Sequence, residues 1–359
     1  MKVLPILCMA LCLFLITSCS KDESISTTAP LEFETTTETT DFTTTVELID
    51  PSFCASGNRF TEMEIFNGNQ IASRFDIQYG RALNWQGNME DLLFDIYLPR
   101  RAADDLSLRP AIVLIHGGGF KSGNKAVLRT TCELFAKRGF VAITVGYRLG
   151  WDLSDPSDQQ KAAYRANQDA NAAMRFIVRN ASQAGINTDQ LFIGGSSAGA
   201  ITALNVTYLD QAEWNAVVPG IETELGGLFT SGNNLTNTYT IQGVFNNWGA
   251  TYRDAIQVDE MVPTISFHGA LDNVVPINDD GTGFGGSIMI NQLLTANGVC
   301  SELNVKPDGG HGIYKDASGT IFRVGRASCF FRSVLCNNCV SNVFLTRVEP
   351  DCSTDVPVN

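Results

Sequence analysis

The sequence predicts an α/β protein: a mostly parallel central sheet, helices on both faces and one small insertion. Two observations carry that expectation. Short, continuously apolar runs alternate with longer runs of helical periodicity, the pattern of strands buried on both faces. Residues 211–240 then break the rhythm with few charges and several Gly, Asn and Thr, as an insertion or cap over the sheet edge does. Composition agrees with a folded globular chain: of 359 residues, 44% are hydrophobic and only 18% charged.

Residues 75–79 and 92–98 read as an opening pair of strands, the second alternating and ending at Pro99. Residues 111–115 form a solid apolar run that enters a glycine loop. Residues 125–138 read as a helix stopped at Gly139, and 140–147 as a second core strand. Residues 160–180 place Ala162, Ala166, Ala170, Ala173, Phe176 and Ile177 near helical spacing. A short buried strand at 190–194, a helix at 198–209, and strands at 241–245, 263–267 and 301–305 complete the expected order.

The first 19 residues have the form of a targeting segment. Lys2 supplies the positive start, and residues 3–16 make an apolar run of 14 positions, short of the ~20 needed to span a bilayer. Leu15-Ile16-Thr17-Ser18-Cys19 resembles the lipobox of bacterial lipoproteins, which implies lipidation of Cys19. The alternative is ordinary secretory cleavage near Ser18. Ser20-Lys21-Asp22-Glu23 resembles the acidic surface-export signal of some Gram-negative lipoproteins. Ten of the 19 residues from Thr27 to Thr45 are Thr, so residues 20–48 read as a flexible tether. The expected division is signal 1–19, tether 20–48, catalytic domain 49–345 and tail 346–359. The expected location is outside the cytoplasm, lipid-anchored to a bacterial outer membrane.

Ten cysteines are present. Without Cys8, Cys12 and Cys19, seven remain, at positions 54, 132, 300, 329, 336, 339 and 352. Export permits disulfides, and an odd number leaves at least one thiol unpaired. Spacing alone does not assign the pairs. Cys336-Asn337-Asn338-Cys339 admits a redox pair or half a zinc site, but no second such motif and no nearby His supports either. Three histidines, His116, His268 and His311, do not make a His-rich metal centre. The net charge of −13 argues against nucleic acid as a partner. No metal or cofactor is expected. Asn278 to Gly283 lacks the spacing and closing Glu of a calcium loop and reads as a polar turn.

Four segments carry chemistry. Gly195-Ser196-Ser197-Ala198-Gly199 lies between an expected strand and an expected helix. In such a turn the residues two before and two after the nucleophile must be small. Centring on Ser197 puts Gly at both places; centring on Ser196 would put Ala198 at one. His116-Gly117-Gly118-Gly119 follows a buried strand, and its glycines let amides turn toward one point, as an oxyanion requires. Asp272 stands just past the strand at 263–267, where functional carboxylates gather in open α/β sheets. His311, flanked by Gly309, Gly310 and Gly312, follows the last expected strand. The competing histidine, His268, sits at a strand exit and reads as structural. The chain order Ser197, Asp272, His311 resembles the Ser, Asp, His order of α/β hydrolases, which implies a nucleophile, its acid and its base. Trp151, Phe120, Phe245, Trp248 and Phe284 are candidates to line a substrate pocket, or ordinary core.

Taken together, residues 75–335 resemble the α/β-hydrolase-fold carboxylesterases that carry an HGGG loop, on the side of the superfamily holding hormone-sensitive-lipase-like and type-B-like esterases. Residues 91–99 and 164–169 also resemble secreted bacterial esterases, including feruloyl and acetylxylan esterases. The resemblance implies oxyanion donors at Gly118, Gly119 and Ala198, no cofactor, and a small-molecule or polysaccharide-linked ester as substrate. Ala200 replaces a Gly found in many members, Ser196 replaces an acidic residue, and there is no room for a large N-terminal helical cap. A serine peptidase or lactone hydrolase would use the same triad. A catalytically dead binding scaffold would not be expected to keep every one of these residues.

Overall fold

The computed structural model describes Cys54, residues 58–155, residues 157–350 and Cys352. The signal segment, Cys19 and the Thr-rich tether lie outside the described residues.

The chain opens with a long hairpin, β1 (Ile71–Leu83) and β2 (Met89–Pro99), longer at both ends than its apolar runs suggest. There follow β3 (Arg109–Ile115), helix α1 (Arg129–Lys137), β4 (Val141–Val145), the long helix α2 (Asp158–Arg179), the single turn α3 (Ala181–Ala184), β5 (Ile186–Ser196) and α4 (Ala198–Tyr208). The expected helix at 125–138 divides: residues Lys125–Leu128 form a 3-10 turn capped by the Asn124 side chain, and α1 begins at Arg129. The insertion folds as two short helices, α5 (Gln211–Val217) and α6 (Ile221–Leu225). After them come β6 (Ile241–Asn247), β7 (Thr251–Tyr252), β8 (Thr264–Gly269), β9 (Phe284–Gly285), α7 (Ser287–Ala296), β10 (Ser301–Lys306), α8 (Ala317–Leu335) and β11 (Asn342–Phe344).

Nine strands form one sheet in the order β1-β2-β4-β3-β5-β6-β8-β10-β11. The two pairings of β2 are antiparallel; all others, from β4 to β11, are parallel. Strand alternation divides the core into two layers. Ala111, Val113 and Ile115 face the layer that contains α2, α4 and α7, whereas Ile112 and Leu114 face α1 and α8. Both faces of β3 are thus buried, which is why its sequence is apolar without a break.

The insertion rests on α2 rather than over the sheet edge alone. Trp214 Nε1 donates to Asn167 Oδ1 at 2.8 Å, Tyr164 Oη to Gly226 O at 2.8 Å, and Gln168 Nε2 to Leu225 O at 3.0 Å. Its continuation reaches β1, where Arg81 N donates to Gly232 O at 2.8 Å.

Three disulfides hold the periphery: Cys54–Cys336, Cys300–Cys339 and Cys329–Cys352. Cys336 and Cys339 therefore bond to different partners, so their CxxC spacing forms neither a redox pair nor half a metal site. Cys132 is the free thiol among the described residues, fully buried on α1, and burial pushes its pKa well up. Among the described residues no helix is long and apolar enough to cross a membrane.

Candidate active site

The site forms where β5 ends and α4 begins, at the carboxyl edge of the sheet. Ser197 occupies the turn with φ 55° and ψ −125°, a conformation that L-residues seldom adopt. Crowding explains the flanking glycines. A Cβ on Gly195 would lie 2.5 Å from Gly199 C and Ile115 O, and one on Gly199 would lie 2.0 Å from Ile115 O. The turn is locked from the next strand as well: Ser197 N donates to Asn247 O at 2.9 Å, and Asn247 Nδ2 to Gly195 O at 2.9 Å. Arg323 on α8 in turn donates to Asn247 Oδ1 at 2.8 Å.

Ser197, His311 and Asp272 meet. Ser197 Oγ is 2.9 Å from His311 Nε2, and His311 Nδ1 is 2.8 Å from Asp272 Oδ2. The other carboxylate oxygen, Oδ1, accepts the amides of Val274 at 2.9 Å and Val275 at 3.0 Å. Burial works to raise the Asp272 pKa, but those two amides and the His311 side chain outweigh it and hold the carboxyl below its ordinary value. Asp272 is therefore an anion at neutral pH, able to orient the imidazole and to stabilise it when protonated. Asp308 points elsewhere: its side chain is 81% exposed and lies 3.6 Å from Lys306 Nζ.

His268 is buried beside the acid. Its Nδ1 lies 2.8 Å from Ser287 Oγ, and its Nε2 lies 3.2 Å from Val275 O and 3.3 Å from Asp272 Oδ2. Burial lowers its pKa, so it is neutral at pH 7. Its ring ties α7 to the loop that carries Asp272 and has no route to Ser197.

The glycine loop presents its amides by anchoring its carbonyls. Gly117 O lies 2.8 Å from His116 Nδ1, and Gly118 O accepts the amides of Lys121 at 3.2 Å and Ser122 at 3.1 Å. In a planar trans peptide the N–H points opposite the C=O, so these contacts turn the Gly118 and Gly119 amides the other way. Positive φ at Gly118 (124°) and Gly119 (62°) makes the path feasible. Ala198 N is the first amide of α4 and has no intrahelical acceptor by position. The loop amides of Gly118 and Gly119 and the first amide of α4 are thus the candidate oxyanion donors.

A second layer braces that loop. Tyr147 Oη donates to His116 O at 2.9 Å, and the two rings stack at 4.5 Å. Trp151 Nε1 donates to Gly119 O at 3.1 Å, and Gly150 N to Phe120 O at 2.8 Å. The bracing segment is itself fixed by a buried ion pair, Arg148 Nε to Asp169 Oδ1 at 2.9 Å.

The five aromatic candidates separate by role. Phe120 and Phe284 line a cavity of about 250 Å³ next to Ser197. Trp151 braces the glycine loop. Phe245 is core, edge-on to Phe135 and Phe267. Trp248 packs edge-on to His311 at 6.5 Å, with the Arg323 guanidinium 5.2 Å over its ring. Sequence reasoning missed Asn247, Arg323, Trp214, Ile201, Asn205 and Tyr252. The carboxylates of Asp279 and Asp280 cap their own turn through the amides of Gly281 and Thr282, each at 2.8 Å.

The chain can now be set beside known proteins. Residues 94–260 match the BD-FAE family model. Carboxylesterase 1C of Rattus norvegicus is 31% identical over 156 residues, which is 42% of this chain and 27% of the relative. The cocaine esterase of Oryctolagus cuniculus is 30% identical over 154 residues, 42% of this chain and 29% of the relative. The chain thus spans little more than a quarter of the length of these curated relatives. Among solved structures, Thermogutta terrifontis esterase 2 phosphorylated by paraoxon superposes with a TM-score of 0.52 at 20% identity, covering 73% of this chain and 93% of that one. The fold is the α/β-hydrolase fold, and residues 94–260 within it carry the BD-FAE pattern.

Proposed function

We propose that the protein is a serine carboxylic-ester hydrolase that works through an acyl-enzyme. The observation that carries this reading is the unbroken chain from Ser197 Oγ to His311 and Asp272, with the serine held in a strained turn. Nε2 of His311 takes the serine proton as Oγ attacks the ester carbonyl. Asp272 holds the imidazole and stabilises the imidazolium. The amides of Gly118, Gly119 and Ala198 receive the oxyanion; they need no reorganisation, because their carbonyls are already tied back. The imidazolium protonates the departing alcohol. Water activated by the same His311 then frees the acid. The His311 side chain is 25% exposed, which leaves that water an approach.

The substrate class we favour is a small-molecule or polysaccharide-linked ester. A panel of p-nitrophenyl esters beside methyl ferulate and acetylated xylan tests it. The core reading is tested with a fluorophosphonate probe. The wild type should label, Ser196→Ala should label, and Ser197→Ala should not, with ester turnover lower by on the order of 10⁶. Labelling that survives in Ser197→Ala and disappears in Ser196→Ala would sink the assignment.

We also propose export and lipid anchoring through Cys19. The lipobox-like residues and the three disulfides support it. Cys19→Ser should lose both the lipid mass and detergent partitioning; an unchanged mass would refute the anchor.

A further inference from the structure

One space adjoins Ser197, and a second, open to solvent, lies beyond it. The nearer, about 250 Å³, is lined by Gly119, Ala198, Ile201, Trp214 and Val275 among others. The farther, about 740 Å³, is lined by Glu213, Val217, Asp254, Ala255, Asp280 and Thr282 among others. Gln160, Tyr252 and Phe284 line both, so they are the wall between them. That wall is lightly built. Tyr252 and Phe284 face each other across the two-residue strands β7 and β9, their rings 5.2 Å apart, and Gln160 reaches the tyrosine hydroxyl from the first turn of α2.

The nearer space is placed for the acyl group. The alcohol must leave beside His311 Nε2, which gives it a proton. His311 is not part of this lining, whereas Gly119 and Ala198, which face the oxyanion, are. An acyl chain bound at Ser197 therefore runs past the start of α4 toward Trp214 and ends against Tyr252.

We propose, on the basis of the esterase reading above, that Tyr252, with Phe284, sets acyl specificity as a partition. It confines the enzyme to short acyl groups, and behind it lies a chamber that receives a longer chain when the partition is removed. The chamber's three carboxylates, Glu213, Asp254 and Asp280, make it unsuitable for an acyl chain that ends in an anion. It suits a neutral or cationic end.

The test is kcat/KM for p-nitrophenyl esters from acetate to laurate, with fluorophosphonate titration of active sites in every preparation. The wild type should fall off as the chain lengthens. Tyr252→Ala should move the optimum to longer chains, by about fourfold for each methylene that gains burial. Tyr252→Trp should move it the other way. An analogue of the decanoate ending in a carboxylate should gain nothing from Tyr252→Ala. Should that variant fail to fold, Phe284→Ala opens the same wall from the opposite strand and should give the same shift. Identical chain-length profiles in titrated wild type and wall variants overturn the partition, and an equal gain by the carboxylate-ended ester overturns the charge argument. A wild type that neither labels nor turns over any ester overturns the esterase reading itself, a failure distinct from the other two.

Discussion

A Cβ added to Gly199, behind Ser197, would meet Ile115 O at 2.0 Å; one added to Gly283, on the rim of the outer cleft, would meet nothing within 4 Å and is opposed only by a φ of 88°. On the reading proposed above the two places belong to one substrate path, yet they are built on opposite principles. Around Ser197 the backbone itself is the machinery. Its carbonyls and amides are in register with β3 and β6, so almost no substitution fits. The Tyr252–Phe284 wall is made of side chains on two-residue strands and on the first turn of α2. There a changed side chain alters a volume, not a strand. On the esterase reading, the hydrolytic chemistry is therefore assigned to the part of this fold that resists change, and the choice of acyl group to the part that permits it.

After loss of the serine itself, the largest expected effect lies at the acid. Asp272→Asn keeps the shape but removes the anion and favours the wrong imidazole tautomer. The loss in kcat should be on the order of 10⁴, by analogy with the same change in a serine protease. Turnover within tenfold of wild type would show that the buried acid does not carry the triad.

Gly199→Ala probes the crowded end directly. The methyl must push on Ile115 O in a central strand, so the variant should lose about 1–3 kcal/mol of stability and most of its fluorophosphonate reactivity. Thermal unfolding and probe labelling read the two separately. A stable, fully reactive variant would mean that the turn has more slack than its contacts indicate.

At the small end, Asp308→Asn should leave kcat within about twofold, since the side chain is exposed and pairs with Lys306 rather than with His311. A loss comparable to that of Asp272→Asn would reassign the third member of the triad.

Much of the catalytic turn was legible before any coordinates, because its demands are local. The need for small residues on both sides of the nucleophile selects Ser197 over Ser196 from five consecutive letters. The bracing of the glycine loop was not legible, since it depends on Tyr147 and Trp151 from a separate strand exit. Arg323 and Asn247 escaped for a different reason. Helix α8 is buried on nearly every side, at Phe322, Val324, Ala327, Phe330 and Phe331 and at the arginines between them, so it shows no polar face to mark its period. Tyr252 sits in a strand of two residues, too short for any alternation to show. Export and lipidation rest on residues 1–23 and stand apart from the folded domain.

The Cys54–Cys336 bond joins positions 282 residues apart. Between them lie Ser197, Asp272, His311 and the whole glycine loop, so in covalent terms residues 54–336 are a closed loop. A protease acting at one exposed site, such as the acid-rich turn near Asp279, would open that loop into a line without dividing it. The nicked protein would keep all its catalytic groups on one molecule and would separate into two pieces only under reducing conditions.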